Sequence, residues 1–446
     1  MIATKQTDQA LKTHLDSLSY SDKEYWSFRG KAVREHAHAY FQYPAMMVPR
    51  MQGDLIGAVL KVDSACRTAF DPFVGSGTTL TEAMCQGLNF RGHDINPLAV
   101  LLCRTKAGPF YLKAIREDLT DLLAVLTKDR GCRREAFFPG LRKWFRNDTA
   151  IALSRIRRAI RTRPALWSRR FFWVALAETV RLTSNSRTST FKLHISPRHE
   201  IEARDSSPQA IFEDIARRNI DKLASQKLLL EERGLLENGR YRREVSIRLQ
   251  DTGVWMQHGE ESHRNDFLVT SPPYGDNQST VPYGQYSYLP LQWIDWNDID
   301  EKMDASWVAS THEIDHRSLG GSLVGAFQAA DTLRSLSDAL RRTFLALKDK
   351  PRDRLVRVAA FCRDLNTCLG PILAMLKPNA YMIWTVGNRR VGNRPVPVDR
   401  ILEELLNARG ATLVAKINRR IPSKRMAVKN NISTTMRAET VLIVRK

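Results

Sequence analysis

The sequence is poor in cysteine and contains no long apolar run. Six cysteines in 446 residues are too few for a disulfide scaffold. Since none of them forms a C-x-x-C pair, we expect no zinc site and no other metal. No stretch approaches the roughly eighteen apolar residues of a membrane helix, and the first residues lack the apolar core of a signal peptide. We therefore expect a cytoplasmic protein without a membrane partner.

Acidic residues are also scarce. Lys and Arg number 69 against 48 Asp and Glu, so the net charge is +21 and the pI is near 9.9. An excess of this size favours a polyanionic partner, such as nucleic acid or an anionic membrane surface. The hydrophobic share of 43% and the charged share of 26% are typical of a globular protein and exclude a wholly disordered chain.

Residues 66–106 alternate between strand and helix patterns. CRTAFDPF and FRGHDI read as strands, and TTLTEAMCQG reads as a helix that stops at Gly87. Asn96 and Pro97 then open a second helix, since proline is favoured in the first helical turn. Strands that alternate with helices predict a parallel α/β arrangement.

A glycine-rich turn follows the first of these strands. The run from Asp71 to Thr79 is DPFVGSGTT, in which Gly75 and Gly77 allow a tight turn and close approach of a ligand. Asp94 ends the next strand, and an acid about twenty residues beyond such a turn can bind ribose hydroxyls. The third glycine of a dinucleotide motif is missing. We interpret the turn as a nucleoside site, although an ordinary strand–helix connection has the same local pattern.

A second motif follows the apolar strand that ends near Thr270. It is Ser271-Pro272-Pro273-Tyr274. The two prolines have no N–H and hold the chain extended, which leaves backbone carbonyls free to accept the hydrogens of an exocyclic amine. Tyr274 offers a flat face on which an extruded base can stack. The motif contains no general base, so the chemistry that it predicts depends on positioning and electrostatics.

Nucleophilic catalysis by a cysteine has no support in the sequence. Methylation at cytosine C5 uses a cysteine thiolate that usually follows a proline. No cysteine in this sequence follows a proline, which argues against that reaction.

Together, the two motifs resemble those of the S-adenosylmethionine-dependent DNA amino-methyltransferases. The resemblance covers about 36–110 and 244–446 and lies in DPFVGSGTTLTEAMCQG, HDINPLA and SPPY. It implies a Rossmann-like class I methyltransferase, an α/β fold with a seven-stranded, mostly parallel sheet and an inserted helical subdomain. We count about seven strands, and the last two are close enough to pair as an antiparallel hairpin.

The resemblance also implies which residues bind S-adenosylmethionine. Asp71 and the glycine turn would hold the methionine part, Asp94 the ribose, and Asp251 the adenine side. FQYPA near Tyr43 is similar to the family's N-terminal cofactor segment, but Met46 and Met47 follow where a basic and an aromatic residue are usual. The predicted cofactor residues are Tyr43, Pro44, Asp71, Pro72, Phe73, Gly75, Ser76, Gly77, Thr78, Asp94, Asn96 and Asp251. For Asp251, a strand-end or helix-capping role is a nearly equal alternative.

SPPY is the form of the tetrapeptide associated with cytosine-N4 enzymes, whereas DPPY and NPPY are associated more with adenine-N6 enzymes. The predicted catalytic residues are Ser271, Pro272, Pro273 and Tyr274. The expected activity is site-specific transfer of a methyl group to the N4 amine of a flipped-out cytosine. An adenine-N6 enzyme, an RNA amine methyltransferase and a non-catalytic nucleic-acid-binding subunit remain as alternatives.

The long connection between the two motifs is strongly basic. Ten Lys and Arg lie between Arg142 and Arg170 against one acid, Asp148. A connection of this length contains an inserted subdomain, and we expect it to recognise double-stranded DNA. A second basic group lies between the closing strands. The predicted DNA-contacting residues are Arg155, Arg157, Arg158, Arg161, Arg163, Arg169, Arg170, Arg419, Arg420, Lys424 and Arg425. A solvated helical face, or a disordered loop for the second group, would look the same in the sequence.

The order of the two motifs and the basic connection along the chain predicts three segments. Residues 1–112 hold the N-terminal segment and the cofactor half, 113–240 the basic helical insertion, and 241–446 the catalytic half with an aromatic loop region at 275–330. A cognate restriction endonuclease is kept as a further partner. The sequence leaves open the recognition sequence and the oligomeric state.

Overall fold

Short apolar runs bounded by turn residues form the strands. The computed structural model of the protein describes residues 2–20, 22–28, 35–205, 207–254, 264–421 and 438–446. The strands in these ranges are β1 (Thr68–Asp71), β2 (Asn89–Asp94), β3 (Leu236–Glu237), β4 (Arg240–Tyr241), β5 (Val245–Leu249), β6 (Asn265–Thr270), β7 (Leu376–Val386), β8 (Arg389–Val391), β9 (Arg394–Val396), β10 (Thr412–Arg420) and β11 (Ala438–Arg445).

Seven of these strands form one sheet, in the order β10-β11-β7-β6-β1-β2-β5. The five strands from β5 to β7 pair in parallel, whereas β11 is antiparallel to both of its neighbours, β7 and β10. Two small antiparallel pairs, β3–β4 and β8–β9, lie outside the sheet.

The helices connect the strands and cover the sheet. They are α1 (Ile2–Leu18), α2 (Pro49–Val62), α3 (Thr78–Cys85), α4 (Pro97–Lys106), α5 (Leu112–Lys128), α6 (Leu141–Trp144), α7 (Asn147–Arg161), α8 (Leu166–Thr183), α9 (Arg198–Glu202), α10 (Pro208–Glu232), α11 (Tyr283–Trp293), α12 (Trp296–Ile299), α13 (Glu313–Arg317), α14 (Ala326–Leu336), α15 (Asp338–Ala346), α16 (Arg352–Ala374) and α17 (Val398–Asn407). Within the described ranges, none is both long and apolar enough to cross a membrane.

Both faces of the sheet are buried, because successive residues of a strand point to opposite sides. In β6, Phe267 and Val269 belong to the core that includes α2–α4 and the inserted helices. Leu268 between them belongs to the core that includes α14–α17. A strand buried on both faces has no polar side, which explains the unbroken apolar run before SPPY.

The predicted fold class is confirmed. The sheet has seven strands, in agreement with the predicted count of about seven, and β10 and β11 form the predicted antiparallel hairpin. The strand order, with one antiparallel strand near the edge of an otherwise parallel sheet, is that of a class I methyltransferase. The pairs β3–β4 and β8–β9 were not predicted, because their strands of two or three residues are too short for a period-two pattern.

The expected aromatic loop region at 275–330 needs a correction. It contains α11, α12 and α13, and α11 packs on α8 of the inserted helices. Three of the aromatic residues of this stretch are helical core residues, since Tyr286, Tyr288 and Trp293 lie in α11 and are all buried. The prediction failed because Pro290 lies inside α11, and a proline usually signals a helix end.

The glycine-rich turn after β1 packs tightly on α4. Gly77 has a φ of +74°, and a Cβ atom built there would lie 2.9 Å from the Sγ atom of Cys103. On the same helix, the buried Lys106 ammonium donates a 2.7 Å hydrogen bond to the Ser76 carbonyl. Burial lowers the pKa of this lysine to about 8. A glycine at position 77 therefore lets α4 support the turn from behind.

We predict that Gly77→Ala destabilises the protein more than Gly234→Ala does. Gly234 has a similar φ of +66° but no atom within 4 Å of an added Cβ. Both variants incur the strain of positive φ, about 1 kcal/mol, whereas Gly77→Ala adds a steric conflict of about 1–3 kcal/mol. Equal changes in the free energy of unfolding, measured in urea, would contradict the packing role of Gly77.

Candidate active site

The strand ends predicted to carry the site meet along one edge of the sheet. The carboxyl ends of β1, β2, β5, β6 and β7 border a cleft of about 1990 Å³. Ligands of open α/β sheets bind at this edge, where parallel strands end and loops diverge. The cleft is therefore the candidate active site.

Asp71, at the end of β1, lies behind the cleft wall. Its carboxylate is fully buried, and Oδ1 accepts hydrogen bonds from the Thr270 hydroxyl at 2.6 Å and from the Phe73 N–H at 3.0 Å. Burial raises the pKa of Asp71 to about 6, although both hydrogen bonds lower it. Because Thr270 immediately precedes Ser271, Asp71 connects the glycine-rich turn to the tetrapeptide.

Asp94, at the end of β2, lines the cleft and shapes its backbone. Its Oδ2 atom accepts from the Gly75 N–H and its Oδ1 atom from the Asn96 N–H, both at 2.8 Å. Burial raises the pKa of Asp94 to about 6. Gly75, with a φ of +48°, also lines the cleft. Asp94 thus holds the turn in the shape that exposes Gly75.

Tyr43 and Asn96 form a second wall. The Asn96 side chain caps α4 through the Leu98 N–H and donates to the Tyr43 hydroxyl at 3.0 Å and to the Ser287 hydroxyl at 2.8 Å. The Tyr43 ring stacks on Tyr283 with a centroid distance of 5.8 Å. The hydrogen bonds of Asn96 are therefore made within the protein, and its direct effect is to position Tyr43.

Asp251 lies at the far side of the cleft, two residues after β5. Its Oδ1 atom accepts from the Gly253 N–H at 2.8 Å, and burial raises its pKa. The neighbouring Thr252 hydroxyl donates to the Pro72 carbonyl at 2.9 Å, so this loop is tied to the glycine-rich turn. Thr252 was not predicted as a site residue, because a lone threonine carries no sequence signal.

The structure brings most of the predicted cofactor residues together. Nine of them line the cleft: Tyr43, Pro44, Pro72, Phe73, Gly75, Ser76, Asp94, Asn96 and Asp251. The other three, Asp71, Gly77 and Thr78, are buried behind the turn or in the first turn of α3. These three shape the wall of the cleft from within the protein.

All four residues of the tetrapeptide line the same cleft. The Ser271 hydroxyl donates to the Tyr274 hydroxyl at 3.2 Å, and that hydroxyl donates to Glu439 Oε1 at 3.2 Å. Burial and the Glu439 carboxylate raise the pKa of Tyr274 well above its ordinary value. Tyr274 is therefore a neutral phenol with a fixed ring.

The residues of the cleft fit S-adenosylmethionine. Asp94 and Asp251 supply carboxylates for hydroxyl groups or positive charge, Tyr43 and Phe73 supply aromatic surface, and Gly75 provides backbone that a ligand can approach closely. A ligand with a ribose, an aromatic base and a cationic end matches this set of donors and acceptors.

The arginines predicted to contact DNA from the insertion bind within the protein instead. Arg157 and Arg161 pair with Asp295 at 2.7 and 2.6 Å, and Arg169 pairs with Asp298 at 2.8 Å. Arg158 pairs with Asp129, Arg163 with Asp121, and Arg155 and Arg170 donate to backbone carbonyls. None of the seven is among the described residues that line the cleft.

This network connects the basic helices α7 and α8 to the segment that follows the tetrapeptide. Asp295 and Asp298 lie on either side of the start of α12, far along the chain from the arginines that they bind. The sequence shows one acid among the ten positive charges of 142–170, because the partners come from other segments. Paired arginines have little charge to offer to phosphates.

The described residues of the second basic group differ in their exposure to solvent. Arg419 is buried and pairs with Glu439 at 3.0 Å, opposite it in the β10–β11 ladder. Arg420 is exposed, with its side chain 83% accessible and Glu24 at 4.0 Å. Lys424 and Arg425 lie outside the described residues. Of the described pair, Arg420 alone has a side chain open to solvent.

A buried acid that the sequence did not single out organises the wall after Tyr274. Asp276 is fully buried and accepts from Arg389 at 3.2 Å, and Arg357 lies 3.5 Å from its other oxygen. A Cβ atom built at Gly275 would lie 1.8 Å from Arg389, so the arginine lies directly against the backbone after the tetrapeptide. No motif marks these arginines, since Arg357 lies within a helix and Arg389 in a three-residue strand.

Comparison with known proteins agrees with this site. The chain is 30% identical over an alignment of 455 residues to the type II methyltransferase M.MvaI of Kocuria varians, covering 98% of this chain and 97% of that protein. It is 29% identical over 93 residues to the type II methyltransferase M.MjaII of Methanocaldococcus jannaschii, covering 21% of this chain and 17% of that protein. No family model matches the chain.

The sheet order and the cleft define the class, that of the S-adenosylmethionine-dependent methyltransferases. The likeness to M.MvaI extends over nearly the whole of both chains, and the protein belongs to the type II DNA methyltransferase family of restriction–modification systems. It is an enzyme that methylates DNA. The readings as an RNA methyltransferase and as a non-catalytic subunit are thereby set aside.

We predict that Thr270→Val destabilises the protein in a pH-dependent way. Loss of the hydroxyl donor raises the pKa of the buried Asp71 carboxyl further above 6. Below about pH 6 the Asp71 carboxyl is protonated in both folded proteins, so the extra cost of Thr270→Val appears only as pH rises above the wild-type pKa of about 6. It should be small near pH 5 and reach about 1.5–3 kcal/mol near pH 8. Urea unfolding at the two pH values measures it.

Thr270→Ser is the matched control, because serine keeps the donor to Asp71. It should lose only the buried methyl group, and that loss should not vary with pH. A Thr270→Val cost that is the same at both pH values would show that the hydroxyl does not support the charged form of Asp71.

Proposed function

We propose that the enzyme transfers a methyl group from S-adenosylmethionine to the exocyclic N4 amine of cytosine in double-stranded DNA, with the target base flipped out of the duplex. The observation that carries the proposal is the position of Ser271-Pro272-Pro273-Tyr274. The tetrapeptide borders the same cleft as the glycine-rich turn, and the Asp71–Thr270 hydrogen bond joins the two strand ends. A cognate restriction endonuclease with the same recognition sequence would be its partner.

The choice of cytosine follows from the first residue of the motif. SPPY is the form associated with cytosine-N4 enzymes, and Ser271 places a neutral hydroxyl where the DPPY and NPPY forms associated with adenine-N6 enzymes carry an acid or an amide. The Ser271 side chain lines the cleft. A hydroxyl oxygen can accept one hydrogen of an amine without adding charge to the site.

The chain's own residues would prepare the amine for attack. The cofactor supplies an electrophilic methyl group on a sulfonium centre. The lone pair of a cytosine amine is delocalised into the ring, so it becomes nucleophilic when acceptors draw both hydrogens out of the ring plane. The Ser271 hydroxyl oxygen and the carbonyls of the Ser271–Pro272 segment are the acceptors that this cleft offers. Such fixed acceptors stabilise the transition state without reorganisation.

Tyr274 would hold the flipped base by stacking. Tyr274 lines the cleft, and its hydroxyl, at the tip of the ring, donates to Glu439. Stacking of a base on an aromatic side chain contributes about 1–3 kcal/mol. A ring anchored through its hydroxyl presents its face with little loss of rotamer entropy on binding.

We predict that Ser271→Ala weakens methyl transfer and that Tyr274→Ala nearly abolishes it. Tyr274→Ala removes both the stacking face and the anchored hydroxyl, and we expect a rate loss on the order of 100-fold or more. Methylated DNA is digested to nucleosides and analysed by mass spectrometry. The wild-type product should be N4-methylcytosine.

N6-methyladenine as the product would overturn the assignment of the base. Wild-type turnover by Tyr274→Ala would overturn the stacking role. Asn407→Ala, at the end of α17 and away from the residues that border the cleft, is a control for the effect of substitution as such.

The DNA backbone would lie along the rim of the cleft. Three basic side chains that line the cleft have no acidic partner within the part of the chain that the structure describes: Lys192, Arg354 and Arg390. Arg390 lies on β8, and the Arg354 guanidinium lies beside Gly392, at 2.8 Å from a Cβ built there. The two arginines therefore share one side of the cleft, and Lys192 comes from the insertion. Unpaired cations at the rim are suited to phosphate contacts.

We predict that Arg354→Ala combined with Arg390→Ala weakens DNA binding and lowers its dependence on salt. Each lost phosphate contact reduces the slope of log K against log salt by about 0.9, so the double variant should lose about 1.8. Fluorescence anisotropy with a labelled duplex at several salt concentrations measures both quantities.

The matched control replaces Arg116 and Arg218. Both are exposed arginines on the inserted helices α5 and α10, and neither lines the cleft. Their replacement removes the same charge and should leave the slope unchanged. If the control variant loses more DNA affinity and more of the salt slope than the Arg354 and Arg390 variant, the DNA contact lies on the inserted helices.

A further inference from the structure

A chain of three hydrogen-bonding groups runs from the tetrapeptide to the last strand of the sheet. Ser271 donates to the Tyr274 hydroxyl, and Tyr274 donates to Glu439 Oε1, each at 3.2 Å. Glu439 lies near the start of β11, whereas Ser271 and Tyr274 follow β6. The catalytic motif therefore has a partner that comes from another part of the chain.

The Glu439 carboxylate forms an ion pair with Arg419. The Arg419 guanidinium lies 3.0 Å from Glu439 Oε2, and the two residues are opposite each other in the β10–β11 ladder. The two side chains are only 4% and 17% exposed. A mostly buried arginine stays protonated and needs a charged partner, so this pair fixes an ionised carboxylate beside Tyr274.

An ionised carboxylate sets the direction of the hydrogens in the chain. It can accept but not donate, so the Tyr274 hydroxyl hydrogen must point to Glu439. The Tyr274 oxygen is then free to accept from Ser271. The Ser271 hydrogen is used in that bond, so both lone pairs of the Ser271 oxygen stay free to accept, and Ser271 lines the cleft. A Ser271 hydroxyl oriented in this way can accept a hydrogen bond from the amine of a target base.

We infer that Glu439 is a positioning residue that orients the hydroxyls of Tyr274 and Ser271, so that the Ser271 oxygen accepts a hydrogen of the target amine. The inference rests on the proposed function of the tetrapeptide. It adds a residue about 165 positions from Tyr274 along the chain, together with a reason for the buried charge of Arg419. Glu439 also borders the cleft, and in this inference it acts through the Tyr274 hydroxyl.

A double-mutant cycle between Tyr274 and Glu439 tests the inference. The substitutions are Tyr274→Phe, which keeps the ring and removes the hydroxyl, and Glu439→Gln, which keeps the size and can reverse the direction of the hydrogen bond. The measured quantities are the single-turnover rate of tritiated methyl transfer into DNA and the KM for DNA. Methyl incorporation is counted whatever base carries it.

We expect each single substitution to lower the rate about tenfold, and the double variant to be no slower than the slower single variant, because both remove the same interaction. The KM for DNA should change less than the rate, since the ring remains available for stacking. If the rate losses multiply in the double variant, Glu439 does not act through the Tyr274 hydroxyl and the inference is wrong.

A second variant covers the chance that Glu439→Gln impairs folding by leaving Arg419 unpaired. Glu439→Asp keeps the charge for Arg419 but shortens the side chain on the Tyr274 side. It should slow transfer when Tyr274 is present and have no effect in the Tyr274→Phe background. An equal effect in both backgrounds would contradict the inference.

Glu403→Gln is the matched control. Glu403 pairs with Lys416 of β10 at 3.7 Å and does not border the cleft. Its replacement removes an acid from the same part of the sheet and should leave the rate unchanged. If Glu403→Gln lowers the rate as much as Glu439→Gln does, Glu439 supports the β10–β11 hairpin in general and does not specifically orient Tyr274.

Failure of the proposed function has a separate readout. If the wild-type protein incorporates no methyl group into DNA, the proposed function fails before the cycle is measured. If it incorporates methyl into adenine, the base assignment fails and the cycle remains valid. If it methylates cytosine N4 and the cycle shows no coupling, only the role of Glu439 is lost.

Discussion

A hydrogen bond of 2.6 Å between the Thr270 hydroxyl and the Asp71 carboxylate joins the carboxyl ends of the adjacent strands β1 and β6. Each strand is followed by one of the two motifs, so this contact sets the distance between the glycine-rich turn and the tetrapeptide. The carboxylate is fully buried and its pKa is raised to about 6. Burying a charge destabilises a protein unless the charge is hydrogen-bonded. The Asp71 carboxylate is hydrogen-bonded, and it lies where the glycine-rich turn and the tetrapeptide come together.

The positive charge of the chain serves two separate purposes. Most of the predicted DNA-contacting arginines of the insertion bind acids such as Asp295 and Asp298, and they attach the inserted helices to the segment that follows the tetrapeptide. Arg354 and Arg390 have no such partner among the described residues and border the cleft. The net charge of +21 is therefore a poor guide to the DNA contact, because ion pairing within the fold decides which cations remain available.

The sheet follows well from the sequence, and nine of the residues predicted to bind the cofactor line the cleft, because the signals for both are local. Gly75 and Asp94 belong to patterns of a few residues, and an apolar run before SPPY reads as a strand without any knowledge of its neighbours. The partners of Arg157, Tyr274 and Asp71 lie more than a hundred residues away along the chain. Such pairs follow from the order of the strands, which a pattern of residues in one segment does not contain.

The tetrapeptide is uncharged, yet it lies between a buried and a partly buried carboxylate. Asp71 holds the residue before it through Thr270, and Glu439 holds its last residue through the Tyr274 hydroxyl. Neither acid is part of the motif, and they come from the first and the last strand of the sheet in chain order. Neutral acceptors polarise an amine only if their orientation is fixed before the substrate arrives. Charged groups one step away can fix it, because a hydrogen bond to a carboxylate is roughly twice as strong as a neutral one. The sheet thus brings two fixed charges to a motif that has none.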